Sequence, residues 1–222
     1  MPLPRKFFFG LFTLTALSLT GVGSRADSDV ASLISNSGFE EGDSGFYLNV
    51  AGDSKDAKCR FSIDKTTFHS GAQALLLQSD DFARYGVGVK VPIHPLAGGD
   101  RYRVGVWIKA GADFQTQPGS PGVVLRLDPA SGYPPTPASS LIFINLDGTV
   151  ATGIFPPKNM KPLPKDWTHL EAIIEVPQGM DSMGATLFVW KAKGSLDVDD
   201  FTFEKVDSST ALTTVVPCPS SP

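Results

Sequence analysis

The chain has 222 residues, with 19 Lys and Arg against 23 Asp and Glu, for a formal net charge of −4. That balance offers no basic surface for nucleic acid or anionic lipid, so neither is expected as a partner. Twenty-two Gly and 18 Pro beside a 10% aromatic share suit short strands joined by turns, not a helical bundle.

The first residues, Met1-Pro2-Leu3-Pro4-Arg5-Lys6, precede an apolar run from Phe7 to Gly23 and the small-residue exit Ser24-Arg25-Ala26. A basic start, an apolar middle and a small-residue exit predict a secretory signal over residues 1–26. A membrane anchor would need about 20 consecutive apolar residues, and this run carries Thr, Ser and Gly. Removing Arg5, Lys6 and Arg25 leaves a still more acidic secreted chain with no membrane segment. Only Cys59 and Cys218 remain. Export permits a disulfide between them, but nothing in the sequence brings the two thiols together.

Ser32 to Asn36 is read as a first strand, entering the turn-rich run from Ser37 to Gly45. Cys59 to Ile63 and Ala72 to Gln78 follow as strands around a turn at Thr66 to Gly71. From Phe82 to Pro92, Tyr85, Val87, Val89 and Val91 alternate with Gly86, Gly88 and Lys90, the pattern of a half-buried strand. Tyr102 to Ala110 sets Tyr102, Val104, Val106 and Ile108 on one face, and Arg103, Gly105, Trp107 and Lys109 on the other. Val123 to Asp128 repeats the theme. Pro-rich stretches at 132–137 and 156–164 bracket an apolar segment, Leu141 to Asn145. Thr168 to Val176, Ala185 to Lys191 and Leu196 to Val206 complete the strands. Residues 207–222 are Ser-, Thr- and Pro-rich and are read as a disordered tail. About ten short strands imply an all-β, two-sheet antiparallel sandwich over residues 30–206.

Within the closing strand, Asp199 shares parity with Phe201 and Phe203. An inward carboxylate is costly unless paired. Either backbone N–H donors from a loop or a hard cation, calcium by its oxygen preference, meets that cost.

Five short motifs occur in order: Asn36-Ser37-Gly38-Phe39-Glu40, His69-Ser70-Gly71, Tyr102 to Ala110, Asp166-Trp167-Thr168 and Val198-Asp199-Asp200-Phe201. This series resembles the CenC-like carbohydrate-binding modules, the group of families 4, 9, 16 and 22, over Leu33 to Val206. The resemblance implies a galactose-binding-like jelly roll with a structural Ca2+. It makes Glu40 and Asp199 the candidate metal ligands, helped by carbonyls near His69 to Gly71, with Asp200 in reserve. Two departures stand out: a long, proline-rich segment from Asp113 to Ile154, and Phe46-Tyr47 where such modules often carry tryptophan.

A poly- or oligosaccharide needs flat rings flanked by polar groups. Parity offers Trp107 and Lys109, Arg126 and Asp128, and Phe188 with Trp190 for one concave sheet face, provided their strands share a sheet. Trp107 also reads as framework. Tyr85, with Phe82 and Arg84 before it, is a rim candidate although its parity is that of the core valines. No catalytic constellation emerges. Gly42-Asp43-Ser44-Gly45 echoes a serine-protease motif but no His precedes it, and His69, His94 and His169 lack zinc-ligand spacing. Glu171 and Glu175 sit at solvated parity. The expectation is a secreted, monomeric, non-catalytic carbohydrate-binding protein. The rivals are an adhesive or structural cell-surface sandwich, and a small polysaccharide lyase or hydrolase.

Overall fold

The alternating segments form eleven strands in a computed structural model that describes residues 32–129, 141–153, 156 and 162–217. The expected signal segment, the 132–137 stretch, most of 156–164 and Cys218 lie outside the described residues. In chain order the strands are β1 (Phe46–Val50), β2 (Cys59–Asp64), β3 (Ala74–Val89), β4 (Arg101–Ala110), β5 (Gln115–Thr116) and β6 (Gly122–Pro129). They continue as β7 (Ile142–Ile144), β8 (Val150–Thr152), β9 (Thr168–Glu175), β10 (Met183–Val206) and β11 (Val215–Pro217).

Two long strands organise the sandwich. The C-terminal half of β3 and the N-terminal half of β10 pair within one layer, in the order β1-β3-β10-β6-β7-β8-β11. The other halves of the same strands lie in a second layer, β2-β3-β10-β4-β9. Every pairing is antiparallel except β8 with β11. Val104, Val106 and Ile108 of β4, and Leu170, Ala172 and Ile174 of β9, share one core with Val87 of β3, Leu125 and Leu127 of β6, and Leu187 and Val189 of β10. These are the inward faces that alternation assigns. Fully burying each large aliphatic side chain is worth about 1.5–3 kcal/mol, which holds the two layers together.

Four expectations change. Ser32 to Asn36 is a bend and turn, not a strand; Leu33 N–H donates to Phe203 O (2.8 Å) and Ser32 Oγ accepts from Phe203 N–H (3.0 Å). The first strand is β1 instead, where Phe46 is buried with its ring tilted against that of Phe39, centroids 4.6 Å apart. The strands read at 72–78 and 82–92 are one element, β3, as are those at 185–191 and 196–206, which are β10. Residues 207–217 are not loose. Thr213 N–H donates to Ile173 O (3.0 Å), Arg101 Nη1 to Thr210 O (2.6 Å), and β11 pairs with β8.

The closing strand also breaks the parity expected of it. Val198 opposes Ile108 and Asp199 opposes Trp107, but the next matched pair is Thr202 with Gly105, so the register slips by one residue. Asp200 takes φ 46 at this point. Such a bulge re-aims side chains. Val198, Phe201 and Phe203 all face the core. Asp199 lies with its cross-strand partner Trp107 on the outer face, covered there by the turn at 69–70.

Candidate functional site

Glu40 and Asp199, far apart in sequence, reach the same turn. Asn36 shapes the approach: its Nδ2 donates to Gly42 O and Ser44 O (both 2.9 Å), and its Oδ1 accepts from Glu41 N–H (2.8 Å). That fold-back sinks Phe39 into the core and lets Glu40 Oε1 accept from Ala72 N–H (3.0 Å). Gly71 beside it takes φ 64, which strains any other residue, and a Cβ there would stand 2.0 Å from Glu40 Oε1 and push the carboxylate aside. From the other side, Asp199 Oδ2 accepts from His69 N–H (2.8 Å) and Ser70 N–H (3.1 Å), and its Oδ1 from Asp200 N–H (2.8 Å). Burial pushes the Asp199 carboxyl above its ordinary range, and the Ser70 and His69 donors pull it back. Asp200 accepts from Ser70 Oγ (2.8 Å) and meets His69 Nδ1 at 2.7 Å. In this geometry the two carboxylates engage the turn as acceptors for N–H hydrogens. Among the described residues no three His, Cys, Asp or Glu side chains converge as a metal cluster.

The sugar-face candidates separate into two groups. Trp107 and Lys109 project from β4 on the outer face of the second layer. Trp107 is stacked between His69 (centroids 3.8 Å apart) and His169 (4.7 Å), with Trp167 edge-on to His69. Lys109 lies opposite Asp197. Neither shares a face with Arg126, Phe188 or Trp190, because β4 and β6 lie in different layers. Tyr85 is not a rim residue either. It is fully buried in the core, and its hydroxyl has no hydrogen-bond partner among the described residues.

Arg126, Phe188 and Trp190 do come together, on the outer face of the first layer. Trp190 opposes Arg84 of β3, and Phe188 lies between Gly86 of β3 and Val124 of β6. Arg126 stands 5.3 Å from the Phe188 ring centroid and pairs with Asp128 at 2.9 Å. Arg84 stands 4.9 Å from the Trp190 centroid and pairs with Asp53 at 2.7 Å. Each guanidinium is thereby held over a ring by a carboxylate. Phe188 is only 5% exposed and packs with Val124, Phe143 and Ala151 in a small apolar cluster. Trp190 borders a cleft of about 270 Å³ with Gln117, Pro118, Ser120, Pro121 and Lys191.

Tyr47 of β1 joins this face, 40% exposed, its ring over Gly88, where a Cβ would stand 2.7 Å from it. Sequence reasoning did not place Tyr47 here, nor give Arg84 a role of its own. The signal was present in Gly86 and Gly88 on one face of β3: the missing side chain of Gly88 leaves room for the Tyr47 ring, and that of Gly86 lets the β10 backbone at Leu187 and Phe188 come close.

No protein-family model and no curated protein matches the sequence. Among solved structures, the enzymatically active domain of tailspike protein 4 from bacteriophage CBA120 is similar at 12% identity and a TM-score of 0.53, covering 79% of this chain and 21% of that one. The likeness is one of fold, and the chain spans about a fifth of that domain's length. The carbohydrate-binding module TmCBM61, solved with β-1,4-galactotriose, is 15% identical with a TM-score of 0.49, covering 79% of this chain and 99% of that one. The CBM22-2 xylan-binding domain of Paenibacillus barcinonensis Xyn10C is 16% identical with a TM-score of 0.49, covering 76% and 97%. Modules of families 4 and 16 are also among the matches, at TM-scores of 0.49 and 0.45.

Proposed function

We propose that this chain is a secreted, non-catalytic carbohydrate-binding protein, acting as a monomer, that holds a poly- or oligosaccharide against the outer face of its first layer. The observation that carries the reading is the group Tyr47, Arg84, Arg126, Phe188 and Trp190, gathered from four strands onto one face. Ring faces suit the C–H side of a pyranose, and the neighbouring guanidinium and carboxylate groups suit its hydroxyls. Affinity electrophoresis across a polysaccharide panel tests it. Retardation on at least one glycan is expected, and Trp190→Ala should weaken it by about 1–3 kcal/mol, roughly 5- to 150-fold. Unretarded migration on every glycan would overturn the reading.

The proposal includes a structural calcium. Its support is that Glu40 and Asp199 meet at one turn, where Glu40 and the carbonyls of residues 69–71 would supply the oxygens that calcium prefers. A second reading, a structural or adhesive sandwich, draws on the near-complete burial of Phe188 and Phe143 at the middle of the same face. That burial confines sugar contacts to the Trp190 and Tyr47 ends. If no glycan retards the protein, the scaffold reading is the better one; retardation that Trp190→Ala leaves unchanged would move the sugar away from the Trp190 end.

A further inference from the structure

The long strand β10 departs from alternation at Lys191. Val189 and Ala192 both lie in the core, so two residues, Trp190 and Lys191, are set off it in succession. The register against β3 shifts at this point, and Lys191 takes φ 49. Left-handed backbone is sparsely populated by long side chains, and such outliers concentrate where a site needs them. Regular alternation would send an aromatic ring and its neighbouring ammonium to opposite faces. The bulge makes both line one cleft of about 270 Å³, while the backbone stays satisfied through Gln117 N–H donating to Lys191 O (2.9 Å).

The charge around this cleft is one-sided. Its other lining residues are Gln117, Ser120, Gly119 and prolines, with no acidic side chain among them. Arg84, over the Trp190 ring, already has its charge met by Asp53. Lys191 pairs with no carboxylate among the described residues. In a chain of net charge −4, a cleft holding a tryptophan and an ammonium but no acid is a selective feature.

We propose that the Trp190 cleft takes an acidic sugar unit, a hexuronate that sits in the cleft beside Trp190 and whose carboxylate is held by Lys191 Nζ. The proposal rests on the carbohydrate-binding reading and gives it a substrate class. Charge-assisted hydrogen bonds favour the acid over its neutral counterpart by about tenfold.

The test is calorimetric titration of the whole protein with uronate oligosaccharides from pectin, alginate, glucuronoxylan and hyaluronan. Each is paired with its carboxyl-reduced form, at about 50 and 500 mM NaCl, where screening differs severalfold. The expected result is that one acidic member binds about tenfold tighter than its reduced form at low salt. That advantage should shrink at high salt, vanish in Lys191→Gln and survive in Lys191→Arg. Equal or tighter binding of the reduced forms overturns the proposal and leaves carbohydrate binding standing. An acid preference that Lys191→Gln does not alter also overturns it, by placing the cation elsewhere. Failure of the folded protein to bind any of these oligosaccharides, acidic or reduced, overturns the proposal, and only unretarded migration on every glycan of the wider panel removes the carbohydrate-binding reading with it.

Discussion

Replacing Asp197 with asparagine should stabilise this protein at neutral pH and leave it unchanged in acid. Asp197 lies on the outer face of β10, opposite Lys109, yet is only 8% exposed, and its Oδ1 has no hydrogen-bond partner among the described residues. Burial is the main cause that pushes its carboxyl from 3.8 up to about 6; repulsion from Asp64 adds to it and Lys109 opposes it. At ~1.36 kcal/mol per pH unit, ionising this group costs the folded state on the order of 3 kcal/mol more than the unfolded chain. The folded-state value is the raised one, so the contribution is harmless below about pH 4, where both states are protonated. The loss grows between about pH 4 and pH 6 and is complete above that window. Asparagine keeps the shape and removes the charge. Urea unfolding of both proteins, followed by tryptophan fluorescence at pH 4, 5, 6 and 7.5, should show Asp197→Asn ahead by about 1–3 kcal/mol at the highest pH and level with the parent at the lowest. A difference that does not vary with pH, or a variant less stable than the parent at pH 7.5, would refute the reasoning.

Phe39→Ala should cost about 3–5 kcal/mol in the same unfolding assay, because Phe39 is fully buried against Phe46 and anchors the turn that carries Glu40. A loss under 1 kcal/mol would mean that the N-terminal segment is not part of the cooperative unit. Chelation with EDTA should lower Tm by about 5–10 °C, as expected for loss of a ligand bound only by the folded state. Added calcium should restore it, and Glu40→Ala should remove the response. Melting curves that superimpose with and without EDTA would eliminate the ion.

How much of this could be read from the chain differs from strand to strand. In β4 and β9, Val104, Val106, Ile108, Leu170, Ala172 and Ile174 sit where alternation puts them, because a straight strand with one buried face has a single side-chain period. The Asn36-to-Glu40 motif was legible for a similar reason: its contacts form within a few residues, and Asn36 makes them with its own side chain. Alternation fails where β10 accepts an extra residue. The bulge at Asp200 turns Asp199 from the expected core side to the outer face under residues 69–70. The bulge at Lys191 sets a lysine beside Trp190.

Layer membership was hidden as well. Trp107 and Trp190 have equivalent parity in sequence, yet the crossing of β3 and β10 between layers puts them on different outer faces. The amino-acid sequence by itself determined the all-β class, most of the strands and the residues of the core, since these follow from local periodicity and the burial of apolar side chains. Only the tertiary structure decided which rings share a surface and which carboxylates meet. Those depend on where two long strands bulge and change layer, which is settled by pairing with partners distant in the chain.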